Sequence, residues 1–347
     1  MSMVADEVEF VIGVDTHKHG HAAAVVDRMG AVVAEDEIAA NVRGYRRLRA
    51  LAEAAAPGRR LWAVEGTGSY GTNLTSFLLE HGERVAEIDR PRRLARRNGA
   101  KSDQIDAVRA AREALASPHL AQPRARGDRE ALRVLLSTRE QAVGGYRRAM
   151  CHLKSLATNA PEGLRFQLLA LSDRELLARC SRLRATASHS LEYRATLATL
   201  RLTARRALDA EADADGLALE LELIVKALAP QLLALPGVGV ISAAEILCAW
   251  SHQGRIRSEA AFAMLAGVCP IPASSGQTVR HRLNRQGDRR LNRALHFVAL
   301  SRMLNHQPTR AYVQRRRAEG RTDREIRRCL KRYLARQIFR LLEAGRS

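Results

Sequence analysis

Apolar and polar positions along the first 115 residues fall into short runs whose period changes, which predicts strands interleaved with helices. Val8 to Asp15 is an apolar run; His21 to Asp27 and Ala31 to Ile38 follow it, with Arg28-Met29-Gly30 as the hairpin turn between them. Gly44 to Ala56 takes helical spacing at Leu48 and Leu51 and stops at Pro57-Gly58. Leu61 to Glu65 reads as a fourth strand, Tyr70 to His81 as a helix ended by Gly82, and Arg84 to Ile88 as a fifth strand. Asn98-Gly99 marks a further turn, after which a helix starts at Asp103 with Ser102 as its N-cap. The order is βββαβαβ with a closing helix, an α/β domain.

Beyond Arg129 the period becomes helical. Glu130 to Ala157 and Leu191 to Ala229 are long stretches of Leu, Ala, Arg and Glu, suited to a helical pair or coiled coil, with shorter helices expected over Pro161 to Ser190. Pro236-Gly-Val-Gly239 breaks that pattern, and a mainly α region with a Pro-bounded loop, Cys269-Pro-Ile-Pro-Ala-Ser-Ser-Gly-Gln-Thr278, runs from there. Three parts are therefore expected: an α/β domain over 1–128, a helical assembly region over 129–235 and a basic C-terminal domain over 236–347.

Charge changes the picture most in the last part. The chain of 347 residues carries a net charge of +20. Residues 1–115 are balanced at 17 basic and 17 acidic side chains, residues 116–235 hold 18 against 13, and residues 236–347 hold 22 against 7. A basic excess of that size attracts polyanions through counterion release, so nucleic acid is the leading partner. Aromatic content of 4% gives little support to base stacking, leaving charge and shape for RNA recognition. No apolar run of about 18 residues and no signal-peptide pattern at Met1 to Phe10 is present, which predicts a cytoplasmic protein without a membrane span. Five scattered cysteines without a Cys-x-x-Cys pair argue against a zinc module and against a disulfide framework.

Candidate chemistry rests on carboxylates. Asp15 and Glu65 each end an apolar strand, and Asp103 and Asp106 stand three apart on one helix face. Hard cations such as magnesium take oxygen ligands, so four acids from three elements are a candidate divalent-metal site. Each acid taken alone also reads as a cap or a surface charge. His17, His19 and His21 alternate, which would put three imidazoles on one strand face as a transition-metal group; the other reading is a turn or strand-end cluster beside nucleic acid. Pro236-Gly237-Val-Gly239 is either a helix-hairpin-helix turn, whose backbone amides approach phosphate, or an ordinary turn between helices. Arg280, Arg282, Arg285, Arg289, Arg290 and Arg293 form a dense basic segment assigned to phosphate contacts. Ser274-Ser275-Gly276 reads locally as turn chemistry.

The βββαβα frame with these acids resembles the RuvC-like branch of the ribonuclease H superfamily. Gly13-Val-Asp15-Thr-His-Lys18, Glu65-Gly-Thr-Gly-Ser-Tyr70 and Lys101-Ser-Asp-Gln-Ile-Asp-Ala107 are similar to the signature blocks of the DEDD insertion-sequence transposases, the IS-one-ten family. Leu235-Pro-Gly-Val-Gly239, Ala266-Gly-Val-Cys-Pro270 and Ser275-Gly276 with Arg280 resemble the family's C-terminal domain, in the same order. The resemblance implies that Asp15, Glu65, Asp103 and Asp106 bind magnesium. It also implies that Ser275, with Ser274 adjacent, attacks DNA and forms a covalent phosphoserine link. It further implies a noncoding bridge RNA that pairs with donor and target DNA, and a homo-oligomer, dimer or tetramer. Two other functions compete: a hydrolytic metal nuclease of the junction-resolvase type with Ser275 a plain loop residue, and a non-catalytic nucleic-acid-binding protein.

Overall fold

A computed structural model of the chain describes residues 3–88, 103–273, 281–284 and 287–344. Two units separate, Met1–Ala125 with Gly254–Ile256, and Arg126–Gln253 with Arg257–Ser347.

The first unit opens with a single turn, α1 (Val4–Glu7), and three strands, β1 (Phe10–Thr16), β2 (Gly20–Asp27) and β3 (Val32–Ala39). Their short connections dictate antiparallel pairing. In the second turn Asp27 accepts from the backbone N–H groups of Met29 and Ala31, and Gly30 takes a left-handed φ of 87°. Helix α2 (Val42–Ala55), capped by the Asn41 side chain, carries the chain to β4 (Arg60–Glu65), which pairs parallel with β1. Helix α3 (Thr72–Glu80) then leads to β5 (Val85–Ile88), parallel to β4. The sheet order is β3-β2-β1-β4-β5, so the chain reverses its direction of travel across the sheet between β1 and β4.

Alternation divides the side chains of β1 and β4 between two cores. Ile12, Val14, Trp62 and Val64 pack with Leu48 of α2 and Leu74 and Leu78 of α3. Val11, Leu61 and Ala63 face the other way, against Ala110, Ala111 and Ala114 of α4 (Asp103–Leu115). Glu83 is a half-buried residue at the edge of the first core, its side chain held by a two-point pair with Arg60 and by the Trp62 indole N–H at 2.9 Å.

The second unit is mainly helical. Helix α5 (Asp128–Thr158) packs along α8 (Leu191–Leu228), and α6 (Glu162–Leu169) and α7 (Asp173–Ser181) close one end of that pair around Leu153, Leu168, Leu177 and Leu200. A short α9 (Pro230–Leu233) follows, then α10 (Val240–Trp250) and α11 (Glu259–Leu265). Strands β6 (Ile271–Pro272) and β7 (His281–Arg282) make a two-stranded antiparallel ladder. Helices α12 (Arg289–Asn305), α13 (Gln307–Ala318) and α14 (Asp323–Ala344) complete the unit. No described helix is long and apolar enough to cross a membrane.

Candidate metal centre and nucleic-acid interface

Asp15 lies at the carboxyl end of β1 and Glu65 at the carboxyl end of the neighbouring parallel strand β4, one residue beyond the Val14–Val64 register pair. The pleat turns both toward the face that α4 covers. In open α/β sheets such a crevice, outside strand ends where the chain order reverses, is where ligands bind. Gly13 lets the helix come close: a Cβ there would lie 2.0 Å from the carbonyl oxygen of Ala107 and 2.7 Å from the amide nitrogen of Ala111. The alanine stripe of α4 completes the approach, which brings the first helical turn, with Asp103 and Asp106, over the end of β1.

Burial is the largest influence on Asp15 and pushes its carboxyl above the usual carboxylate range; His17 opposes this, and Glu65, Asp103 and Asp106 add to it. Glu65, Asp103 and Asp106 are thus all near enough to Asp15 to raise its carboxyl. The four acids are not equivalent. Asp15 is 8% exposed, whereas Asp103 is an open side chain and Asp106 forms an ion pair at 2.9 Å with Arg109, one turn along its own helix. The tightest donor set is Asp15, Asp103 and His17, one ligand atom of each lying within 4.8 Å of the other two. Oxygen-rich, partly buried and self-repelling, this group has the donor chemistry that a divalent cation requires.

The three histidines do not share a strand face. β1 ends at Thr16 and β2 begins at Gly20, so His17 and His19 belong to the turn. His21 is fully buried and stacks on Tyr45 with ring centroids 5.9 Å apart, while His19 is exposed. A turn of this length breaks the alternation on which the three-imidazole expectation depended, and it delivers His17 to the acids instead.

In the second unit, Ser274, Ser275, Gly276, Arg280 and Arg285 lie outside the described residues, as do Lys101 and Ser102 in the first. The β6–β7 ladder brackets the serine loop, pairing Ile271 with Arg282 and Pro272 with His281. Two-residue strands carry too little pattern to be read from sequence. Arg290 and Arg293 are paired within the unit. Glu140 of α5 accepts from Arg290 at 2.6 Å and from Arg293 at 3.0 Å, and Glu245 of α10 accepts from Arg293 at 3.2 Å. A charge count over the last third of the chain misses Glu140, which reaches α12 from a helix about 150 residues earlier. Arg282 and Arg289 form no ion pair among the described residues, and Arg289 lines a cavity of about 360 Å³ with Arg293, Asn292 and His296. Gly237 has φ +78°, and a Cβ there would press on Val298 and Ser301 of α12, so packing accounts for that glycine; Gly239 faces open space.

Two family models match the chain in order. A DEDD transposase model of the IS110 type covers residues 12–160, the α/β unit and the start of the helical region. The model described as "Transposase IS116/IS110/IS902 family" covers residues 229–314. The chain belongs to the DEDD insertion-sequence transposases. Among relatives of this chain, the insertion element IS110 uncharacterized 43.6 kDa protein of Streptomyces coelicolor is 32% identical over 142 residues, 41% of this chain and 33% of the relative. The insertion element IS900 uncharacterized 42 kDa protein of Mycobacterium paratuberculosis is 36% identical over 91 residues, 26% of this chain and 23% of the relative. The chain thus spans about a third of the first relative and about a quarter of the second. Its mixed five-stranded sheet with helices fits a ribonuclease H-like domain.

Proposed function

We propose that this transposase excises and inserts an insertion sequence by magnesium-dependent cleavage and rejoining of DNA strands through a covalent link at Ser275. The observation that supports the proposal is the closeness of Asp15 and Asp103 at the end of β1, with Glu65 and Asp106 near enough to raise the Asp15 carboxyl, in a chain whose two family regions run in the expected order. Asp15, Glu65, Asp103 and Asp106 would hold magnesium, which supplies Lewis acidity toward a phosphoryl oxygen and charge stabilisation for the departing oxygen.

The chain's own groups carry the rest. Oγ of Ser275 attacks phosphorus, the bond to the 3′ oxygen breaks, and the serine proton is passed on so that the strand leaves as a 3′ hydroxyl. The serine–phosphate ester retains the energy of the original diester. Attack on it by another 3′ hydroxyl rejoins strands without ATP and frees the serine, so the outcome is recombination and not degradation. Arg280, Arg282, Arg285 and Arg289 are assigned to phosphates, and the backbone at Gly237 and Gly239 to a further phosphate contact. A noncoding bridge RNA specifies donor and target DNA, and the assembly is a homo-oligomer, dimer or tetramer, in the cytoplasm.

The test is covalent capture. Cells carrying the intact element are denatured, the protein is recovered, attached DNA is digested, and Ser275 is examined by mass spectrometry for a nucleotide. The adduct is expected in the unaltered protein and absent from Ser275→Ala and Asp15→Asn. DNA cleavage persisting in Ser275→Ala without any adduct would instead identify a hydrolytic nuclease.

A further inference from the structure

His17 occupies a place in the acid cluster that the four-carboxylate pattern leaves unassigned. Its Nδ1 lies 3.9 Å from Oδ2 of Asp15 and 3.8 Å from Oδ2 of Asp103. Both separations exceed a hydrogen bond, whose heavy atoms stand about 2.7–3.2 Å apart. They stay below about 4.4 Å, twice a ligand distance of roughly 2.2 Å and so the widest separation that two donors on one cation can have. One oxygen of each of Asp15 and Asp103 and this nitrogen lie within 4.8 Å of one another, brought together from a strand end, a helix and a turn.

The turn is built to hold that position. The His17 N–H lies 3.0 Å from the Gly20 carbonyl and 3.3 Å from Nδ1 of His21. His21 is itself fixed, buried in the sheet and stacked on Tyr45 at an interplanar angle of 7°. The His19 carbonyl accepts from the Ala40 N–H at 3.0 Å, tying the turn to the end of β3. Backbone contacts therefore set where residue 17 starts, while its side chain stays half exposed and open to a ligand.

We propose that His17 is a nitrogen ligand which, with Asp15 and Asp103, makes a mixed oxygen and nitrogen centre that binds first-row transition metals, manganese among them, more tightly than the magnesium it works with. The inference rests on the acid site argued above and deepens it. Magnesium is served by carboxylate and water oxygens, while an imidazole shifts preference toward transition metals, which bind nitrogen more strongly. The alternative role for His17 is that of an imidazolium paired with the two carboxylates, with no bond to metal.

Manganese distinguishes the two, because its unpaired electrons report a directly bonded nitrogen. The full chain, stripped of metal, is titrated with Mn²⁺ under electron paramagnetic resonance, and pulsed spectra are recorded with natural and with ¹⁵N-histidine protein. The expected result is bound Mn²⁺ with a ¹⁴N coupling that changes on ¹⁵N labelling and disappears in His17→Gln. That variant should keep its circular dichroism and melting temperature, bind Mn²⁺ about tenfold or more weakly, and lose most of its discrimination against Mg²⁺. Bound Mn²⁺ without nitrogen coupling, or a coupling that survives in His17→Gln, overturns the role of His17 and leaves the acid site standing. If the unaltered chain binds no Mn²⁺ that Asp15→Asn removes, the acid site and the inference fall together.

Discussion

A methyl group at position 13 would meet the Ala107 carbonyl oxygen at 2.0 Å, so a single hydrogen atom decides how near the carboxylates of α4 come to Asp15. Gly13→Ala is expected to displace the first turns of α4, to cost about 1–3 kcal/mol from overpacking, and to weaken Mn²⁺ binding while Asp15, Asp103 and His17 are all still present. Urea unfolding and metal titration measure the two effects; full metal affinity in a destabilised Gly13→Ala protein would separate helix packing from site geometry. The acids were legible as residue types at strand ends and on a helix face. His17 was not legible as their neighbour, because alternation fails in a turn and only the folded backbone says where residue 17 points. Gly13 was legible as part of a motif, but the reason for it lies in Ala107 and Ala111, which sequence cannot place against β1.

At the scale of elements, the strands and helices of the α/β unit follow their sequence signals to within a residue or two, since short apolar runs bounded by turns leave few alternatives. The ties between elements were not visible. Glu83, just beyond α3, joins Arg60 and Trp62 of β4. Burial works to raise its carboxyl, but the hydrogen bonds from Arg60 and Trp62, with the charges of Arg60 and Arg49, outweigh burial and hold it below the usual carboxylate range. A carboxyl lowered on folding contributes stability that is complete above its unfolded value and lost as pH falls through its folded one. Glu83→Gln is therefore expected to lose about 1–3 kcal/mol at pH 7. Its melting temperature should converge on that of the unaltered protein as pH is taken below 4.5. Parallel melting curves with a constant gap down to pH 3 would show that Glu83 contributes shape and not charge.

For the whole molecule, the net charge of +20 predicts nucleic-acid binding that weakens steeply with salt, the logarithm of affinity falling linearly with the logarithm of salt concentration. The ion pairs divide the arginines that sequence grouped together. Arg282→Ala and Arg289→Ala should each reduce the salt slope by about one, as loss of a single phosphate contact does. Arg290→Ala should mainly loosen α12 from α5 and lower the melting temperature, because its charge is already matched by Glu140. Equal salt slopes for all three variants would place Arg290 on the nucleic acid as well. By itself the sequence determined what is local or additive: the strand and helix periods, the α/β unit followed by helices, the carboxylates at strand ends, and the basic excess of the last third. Tertiary structure alone decided that Asp15 and Asp103 lie close together, that His17 joins them, that Gly13 makes room for α4, and which arginines are ion-paired among the described residues. Each of those depends on groups distant in the chain meeting at a few ångströms, and neither period nor composition records such distances.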